Sequence, residues 1–278
     1  KLRRNKVRRM RLVATEACRR AANGAEFMQR IQRETGLKLD IIKPEEEAQL
    51  AVISCAPLVN RKTHNLLVVD IGGSTELVWI DISKVPKADR AQSIMRLHGG
   101  FHQAKTDVPA ARVVDWISVP LGVATLRDQF SDVEDDAARF ALMSWFFEEN
   151  LTDFTPYQSI QSQDRFQIVG TSGTVTTVAA SHLGLKRYDR TKVDGLRMTS
   201  AQIDKVIHSY LAMGPGGRRA DPRIGLDRQA LIMSGAAILQ ALMRCWPTDR
   251  LSVADRGLRE GLLYAQMSAD GVLEEGLG

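Results

Sequence analysis

The sequence contains little cysteine and no long apolar run. Its three cysteines, Cys18, Cys55 and Cys245, lie far apart and form no CxxC pair, which excludes a disulfide-stapled miniprotein. We therefore expect reduced thiols in a cytoplasmic protein. No apolar segment approaches the roughly 20 residues that a membrane-spanning helix requires, and the first residues are too basic and polar for a signal peptide.

Several catalytic patterns are missing as well. The sequence has no HExxH, GxSxG or GxxxxGK[ST] motif, so the enzyme classes that these motifs mark are not indicated. Aromatic residues make up only 6% of the chain, and none occurs in residues 1–20. Stacking on single-stranded nucleic acid is therefore unsupported, and we expect no specific nucleic-acid binding.

Positive charge is concentrated at one end of the chain. Residues 1–20 contain nine Lys or Arg against Glu16 alone, although the net charge of all 278 residues is only +5. Such a run either binds a polyanion or forms a solvated basic helix end, and both interpretations stay open. The length suggests about two domains.

Apolar runs alternate with amphipathic segments, which predicts an α/β protein. Strands are expected at residues 10–15, 39–42, 65–70, 75–82, 166–169 and 251–253. Gly36 is expected to end one helix and Pro44 to begin the next. Ser131 with Glu134 and Thr199 with Gln202 are candidate capping boxes for later helices, and residues 214–222 are expected to form a loop rich in Gly, Pro and Arg.

The first group of residues that could carry chemistry lies in a hairpin tip between two predicted strands. Glycines let the backbone approach a phosphate and turn its N–H groups toward the oxygens, while hydroxyls add donors. Carboxylates on both sides could hold one cation. An ordinary hairpin turn would need the glycines alone. The residues are Asp70, Gly72, Gly73, Ser74, Thr75 and Glu76.

A second loop of similar composition follows another predicted strand. It contains Gly170, Thr171, Ser172, Gly173 and Thr174 and opens a predicted helix. Such a turn directs backbone donors and the positive helix end at an anion. Many strand-to-helix turns use glycine, so its weight comes from being the second such loop, because two of them could clamp a phosphate chain from both sides.

Other polar clusters are ambiguous. Glu45, Glu46 and Glu47 stand at a predicted helix start, where acids compensate the helix dipole. Since each residue turns by about 100°, only one of the three can point into a given cleft, and the pattern does not say which. His98 and His102 are four residues apart but flank two glycines, which favours a loop over a metal pair.

Six segments, in order along nearly the whole chain, resemble the exopolyphosphatase and guanosine pentaphosphate phosphohydrolase (Ppx/GppA) family. They are ATEACRRAAN at residues 14–23, IIKPEEEAQL at 41–50, VVDIGGSTEL at 68–77, GTSGTVTTVAA at 170–180, SGAAIL at 234–239 and DRGLREGLL at 255–263. The resemblance implies the actin-like ATPase fold, with two ribonuclease-H-like lobes around a phosphate-binding cleft.

The resemblance also implies a domain division and a chain start. Residues 1–64 would be the remainder of the first lobe and residues 65–278 the second, whose last helix would pack back on the first. Family members begin with an additional phosphate loop of the DxGSNS type, which nothing before Arg11 matches. Together with Lys1 in place of a methionine, this predicts that the first lobe is incomplete.

Site residues follow from the same resemblance. Glu47 matches the catalytic glutamate, and Arg19 matches a phosphate-contacting arginine. Asp70 and Glu76 match carboxylates associated with Mg²⁺, so Glu76 is assigned both a metal-binding and a catalytic role. The hairpin has two glycines where the family usually has three, and KPE at residues 43–45 replaces SGN; both differences bear on the approach to the metal and to Glu47.

The implied activity is Mg²⁺-dependent hydrolysis of a terminal phosphoanhydride by a glutamate-activated water. The expected substrate is inorganic polyphosphate or guanosine pentaphosphate, and the tetraphosphate is a further expected ligand. A non-catalytic module that binds polyphosphate or an alarmone is the alternative. A kinase of the same superfamily would need an adenosine pocket that the sequence does not reveal. The resemblance also suggests a homodimer.

Overall fold

The computed structural model describes residue 7 and residues 9–101, 109–158 and 165–272. Within these ranges the chain forms a mixed α/β structure. No described helix combines the length and hydropathy that crossing a bilayer would require. His102 lies outside the described ranges, as do five of the nine Lys and Arg residues of the basic run at residues 1–20: Lys1, Arg3, Arg4, Lys6 and Arg8.

Two sheets are present among the described residues. The strands are β1 (Val13–Ala14), β2 (Asp40–Ile41), β3 (Asn65–Ile71), β4 (Thr75–Asp81), β5 (Arg112–Val119), β6 (Phe166–Thr171), β7 (Arg197–Met198) and β8 (Leu251–Ala254). A small parallel sheet pairs β1 with β2, and a six-stranded sheet has the order β5-β4-β3-β6-β8-β7. Within the larger sheet, β3 runs antiparallel to β4 and parallel to β6.

Helices cover both faces of the six-stranded sheet. They are α1 (Glu16–Arg20), α2 (Gly24–Thr35), α3 (Pro44–Cys55), α4 (Arg90–Met95), α5 (Val123–Gln129), α6 (Asp136–Glu149), α7 (Gly173–His182), α8 (Arg190–Val193), α9 (Ser200–Ala220), α10 (Ile232–Cys245) and α11 (Leu258–Ala269). Short 3₁₀ turns occur at Ala56–Leu58, Arg96–Gly99, Thr155–Gln158 and Leu226–Arg228.

The alternation of side chains along β3 separates two hydrophobic cores. Leu66 and Val68 pack on one face with residues of α3 and α4. Leu67 and Val69 pack on the other face with residues of α6, α7, α9 and α10. Because the side-chain period of a strand is two, Asp70 continues the row of Leu66 and Val68. It therefore points to the face that α3 covers.

Helix ends follow local chemistry in most places. Gly36 ends α2 in the left-handed region at φ 71°, and Pro44 opens α3, both as predicted. The capping box of Thr199 and Gln202 is also confirmed. The prediction for Ser131 is wrong, because α6 begins at Asp136 and the side chain of Asp135 accepts the capping bond from the backbone N–H of Ala138 at 2.7 Å.

The stretch predicted as a loop at residues 214–222 is largely helical. Gly214 leaves the helical region with φ 63° and ψ 178°, which kinks α9 just before Pro215, and the helix then continues to Ala220. One of its arginines, Arg218, is buried and forms an ion pair with the partly buried Asp136 at 2.7 Å, whereas Arg219 is exposed. The Gly, Pro and Arg content of this stretch therefore predicted a loop where the chain forms a helix with one kink at Gly214.

The last helix packs against α3. Ile42, Leu50 and Ile53 form a third small core, with Leu258 and Leu262 of α11 packed on it. This contact joins the end of the described chain to the segment that precedes the glycine hairpin. It also means that α3 is held between α11 and the large sheet.

Candidate active site

The glycine hairpin lies where β3 turns into β4, as predicted. The backbone N–H of Gly72 donates to the carbonyl oxygen of Ser74 at 2.8 Å, which closes a tight turn. The N–H of Val123 at the start of α5 donates to the carbonyl oxygen of Gly72 at 3.1 Å. Gly122 fits closely behind the tip, since a Cβ there would lie 2.2 Å from the Gly72 oxygen. The start of α5 therefore supports the hairpin tip.

Asp70 and Glu76 stand directly opposite each other across this hairpin. Burial raises the pKa of Asp70 to about 8, and the negative charges of Glu76 and Glu47 add to the shift. Burial likewise raises the pKa of Glu76 to about 7. Two carboxyl groups this close cannot both ionise cheaply without a cation or a shared proton.

Hydroxyl groups fix the Glu76 carboxylate. Ser74 Oγ donates to Glu76 Oε1 at 2.6 Å, and Ser118 Oγ on β5 donates to the same oxygen at 2.8 Å. Thr75 Oγ1 instead donates to the carbonyl oxygen of Leu121 at 2.8 Å. The hydroxyls of the first loop thus bind protein atoms, so the groups of this loop left for a phosphate are backbone N–H donors.

Arg19 and Glu47 meet beside this hairpin, from α1 and α3. Arg19 Nη1 donates to Glu47 Oε2 at 2.9 Å and to the carbonyl oxygen of Ile42 at 2.8 Å. Both side chains are largely buried, at 15% and 12% exposure. Burial raises the pKa of Glu47 above its ordinary value although Arg19 opposes the shift. One member of the acidic trio is therefore selected: Glu47 points inward, whereas Glu46 pairs with Arg11.

The second loop leads into the N-terminus of α7, which borders a cavity. Ser172 adopts φ 143°, the one non-glycine residue with positive φ among the described residues, and its side chain accepts from the N–H groups of Thr174 and Val175 at 3.2 and 3.3 Å. Such strained backbone is found preferentially at functional sites. At Gly173 an added Cβ would overlap the guanidinium of Arg228, so this arginine lies directly over the glycine.

A cavity of about 230 Å³ extends from Asp70 along the second loop to the start of α11, with Ser172, Gly173, Arg228 and Arg256 among its lining residues. Arg256 is held by Asp194, whose Oδ1 and Oδ2 each lie 3.2 Å from Arg256 Nε. Within the described residues, Arg228 has no ion pair. The cavity is thus lined by a helix start and by cationic side chains, together with the acidic residues Asp70, Asp255 and Glu260.

A metal ion would have few protein ligands here. Within the part of the chain that the structure describes, no three His, Cys, Asp or Glu side chains converge into a cluster that could hold a metal. Mg²⁺ is usually bound by one or two carboxylates together with water and substrate phosphate oxygens. The facing carboxylates of Asp70 and Glu76, with their raised pKa values, fit that kind of site.

Comparison with known proteins decides the family. The model of the Ppx/GppA phosphatase family matches residues 2–270. The chain belongs to this family. The resemblance read from the six sequence motifs is thereby confirmed.

Curated members of the Ppx/GppA family include relatives with two different names. Exopolyphosphatase 1 of Mycobacterium leprae is 22% identical over 264 residues, which are 92% of this chain and 68% of that protein. The guanosine-5'-triphosphate,3'-diphosphate pyrophosphatase of Aeromonas salmonicida is 27% identical over 256 residues, 92% of this chain and 44% of that protein. The chain therefore spans about two thirds of the first relative and less than half of the second.

Solved Ppx/GppA structures share the fold. The Aquifex aeolicus family member is 28% identical, with a TM-score of 0.72 over 97% of this chain and 77% of that one. An exopolyphosphatase from Cytophaga hutchinsonii superposes with a TM-score of 0.75 over 98% of this chain and 78% of that one at 20% identity, which is evidence for the fold alone. The predicted α/β fold of the actin-like ATPase type is confirmed.

The fold of this Ppx/GppA family member brings some predicted site residues together and turns others away. Arg19 and Glu47 lie near Asp70 and Glu76, close enough for their charges to shift the pKa values of that pair. Thr171, Ser172 and Gly173 line the cavity, whereas Gly170 and Thr174 do not. Gly170 is enclosed by the side chain of Val175, and Thr174 packs on Gly235, where an added Cβ would lie 2.0 Å from its Oγ1.

The sequence analysis did not identify four residues of this candidate site: Glu16, Ser118, Arg228 and Arg256. Ser118 could not be found because β5 was not predicted. Arg228 and Arg256 are ordinary arginines in sequence, although Arg256 lies within the DRGLREGLL motif. Glu16 was noted as the single acid of the basic run, and that isolation was the available signal.

Proposed function

We propose that the protein hydrolyses the terminal phosphoanhydride of inorganic polyphosphate or guanosine pentaphosphate and releases orthophosphate with the help of Mg²⁺. One observation carries this proposal. Glu47, a largely buried carboxylate with a raised pKa, is held by Arg19 at 2.9 Å on the sheet face to which Asp70 points. A base and a phosphate-binding cation thus stand together beside a carboxylate pair, and the names of the curated relatives support the same chemistry.

Asp70 and Glu76 are the residues that would hold Mg²⁺. When bound, the ion would neutralise negative charge on the phosphate oxygens and offset the repulsion between the two carboxylates. Ser74 and Ser118 keep the Glu76 oxygens in one orientation, which preorganises the site. Both carboxyl groups must lose their protons for this role.

The phosphate chain would lie in the cavity that runs from Asp70 along the second loop. The N–H group of Gly73 and the N-terminal end of α7 would supply donors for phosphate oxygens. Arg228, which lies over Gly173, and Arg256 also line this cavity and would add positive charge there. Positioning and electrostatic stabilisation supply most of the rate enhancement in phosphoryl transfer, so a nucleophilic side chain is not required.

Glu47 would orient and deprotonate the attacking water. A carboxylate with a raised pKa is a better base at neutral pH than an ordinary glutamate, because general-base efficiency is greatest near the operating pH. Arg19 holds Glu47 and would contact the terminal phosphoryl group at the same time. In-line attack then leaves orthophosphate and a shortened chain.

The test is orthophosphate release from long-chain polyphosphate and from guanosine pentaphosphate, with and without Mg²⁺. Glu47→Gln should abolish release and leave substrate binding within about threefold, since it removes the base while keeping size and one acceptor. Glu45→Gln is the matched control, because it makes the same charge change in the same turn of α3. Binding of both anions without any release by the wild type would refute the hydrolase and favour the binding module.

A further inference from the structure

Glu16 opens α1 and lies against the tip of the glycine hairpin. Its side chain is only 13% exposed. Its Cβ lies 3.3 Å from the point that a Cβ on Gly73 would occupy. The single acid of the basic run therefore touches the loop to which phosphate binding is assigned.

Glu16 occupies one edge of the Arg19 guanidinium. Glu16 Oε2 accepts from Arg19 Nη2 at 2.9 Å and from Nε at 3.3 Å. The other terminal nitrogen, Nη1, serves Glu47 and the carbonyl oxygen of Ile42. A guanidinium carries five N–H donors in a rigid fork, so these four bonds leave one N–H, on Nη2.

We propose that Glu16 is a positioning residue for the reaction. By holding the Nε–Nη2 edge of Arg19, it limits the contact between Arg19 and Glu47 to one nitrogen and leaves the last Nη2 N–H for a phosphate oxygen. The inference rests on the proposed hydrolytic function of Glu47 and Arg19.

The alternative geometry explains why the restraint matters. Arginine and carboxylate groups favour a two-nitrogen, fork-to-fork pair. Without Glu16, the guanidinium can rotate into such a pair with Glu47. That pair would occupy the oxygens that must accept a proton from water, and it would withdraw Arg19 from the phosphate. Loss of Glu16 should therefore weaken both catalysis and phosphate binding, and both effects should pass through Arg19.

A double-mutant cycle with Glu16→Ala, Arg19→Ala and the double variant tests this coupling. Turnover is followed by orthophosphate release, with kcat and KM determined separately. Binding of inorganic tripolyphosphate is measured by calorimetry, which needs no turnover. Glu16→Ala should lower kcat/KM and tripolyphosphate affinity by roughly tenfold each. The double variant should be no worse than Arg19→Ala alone, because residues that act through one contact are not additive.

Two further variants separate positioning from folding. Glu16→Gln keeps an acceptor for Arg19 and should recover part of both losses. Glu34→Gln is the control, since Glu34 makes an exposed pair with Arg30 at 2.8 Å and should change neither quantity. Thermal unfolding of each variant is measured in parallel, and Glu16→Gln replaces Glu16→Ala in the cycle should the alanine variant unfold.

The positioning role would be overturned by either of two results. In one, the double variant loses kcat/KM by the product of the two single losses; in the other, Glu16→Ala binds tripolyphosphate as tightly as the wild type. Failure of the proposed function is a different result. In that case the wild type releases no orthophosphate from either substrate, while the calorimetric cycle still decides whether Glu16 acts through Arg19.

Discussion

Asp70 and Glu76 are register partners across the β3–β4 hairpin. When both carboxyl groups are ionised, their negative charges need a neutralising group. Their pKa values of about 8 and about 7 describe a site that holds protons or a cation. Because they lie on the face that α3 covers, the same cation would lie close to Glu47. Under the proposed function, the carboxylate pair would link Mg²⁺ binding to Glu47.

Asp70→Asn should raise the Mg²⁺ concentration for half-maximal phosphate release by at least about tenfold, since a neutral amide is a much weaker ligand for this ion than a carboxylate. Activity is measured across a Mg²⁺ titration. Asp81→Asn is the control: Asp81 ends β4 at the end of the hairpin opposite its tip, beside Arg112 at 3.3 Å. Identical titrations for Asp70→Asn and the wild type would remove Asp70 from the metal site.

The metal-free protein should lose stability as the pH rises from about 5 to about 8. The unfolded carboxyl groups titrate near pH 4, whereas folded Asp70 holds its proton until about pH 8. Over this window the folded state binds more protons, so the free energy of unfolding falls with pH. Tm measured in EDTA should decline and then level off above pH 8, and both Asp70→Asn and excess Mg²⁺ should flatten the decline. Equal slopes in all samples would contradict the raised pKa.

Gly122→Ala should displace the hairpin tip. Its Cβ would lie 2.2 Å from the Gly72 oxygen and 2.3 Å from the Gly73 carbonyl carbon, and backbone atoms cannot move aside as a flexible side chain can. We expect kcat/KM to fall by at least about tenfold, because small misplacements of a phosphate cradle are costly. Gly216→Ala is the matched control, as nothing lies within 4 Å of its added Cβ. Full activity of Gly122→Ala would show that the tip tolerates movement.

Arg218→Ala should destabilise the fold without changing substrate affinity. Arg218 is 5% exposed and binds both oxygens of Asp136, at 2.8 and 2.7 Å. Its loss leaves that carboxylate without its closest partner and should cost about 2–3 kcal/mol of unfolding free energy. Urea unfolding and KM for polyphosphate are measured together. Arg219→Ala serves as the exposed control, and a raised KM for Arg218→Ala alone would assign Arg218 to the substrate.

Much of the secondary structure could be predicted because it depends on the chemistry of neighbouring residues in the chain. The β3–β4 hairpin, the end of α2 at Gly36 and the start of α3 at Pro44 all depend on residues next to each other in the chain. β5 was missed although Pro109 and Pro120 flank its run of β-branched and aromatic residues, and its pairing with β4 comes from tertiary contact. The last part of α9, after Gly214, was missed because Gly and Pro normally predict the end of a helix.

By itself, the sequence determined the family, the α/β class and the two glycine loops, since motif order and strand patterning are properties of the chain. The residue pattern could not choose among the acids at the start of α3, because a dipole argument treats them alike, and it was the family resemblance that pointed to Glu47. Only the tertiary structure decided that Glu47 points inward to Arg19 and that Glu16 holds the other edge of this arginine. Arg19 and Glu47 are 28 residues apart and lie on separate helices, whereas Arg19 and Glu16 are 3 residues apart within one turn of α1. The geometry of both contacts depends on how α1 and α3 pack.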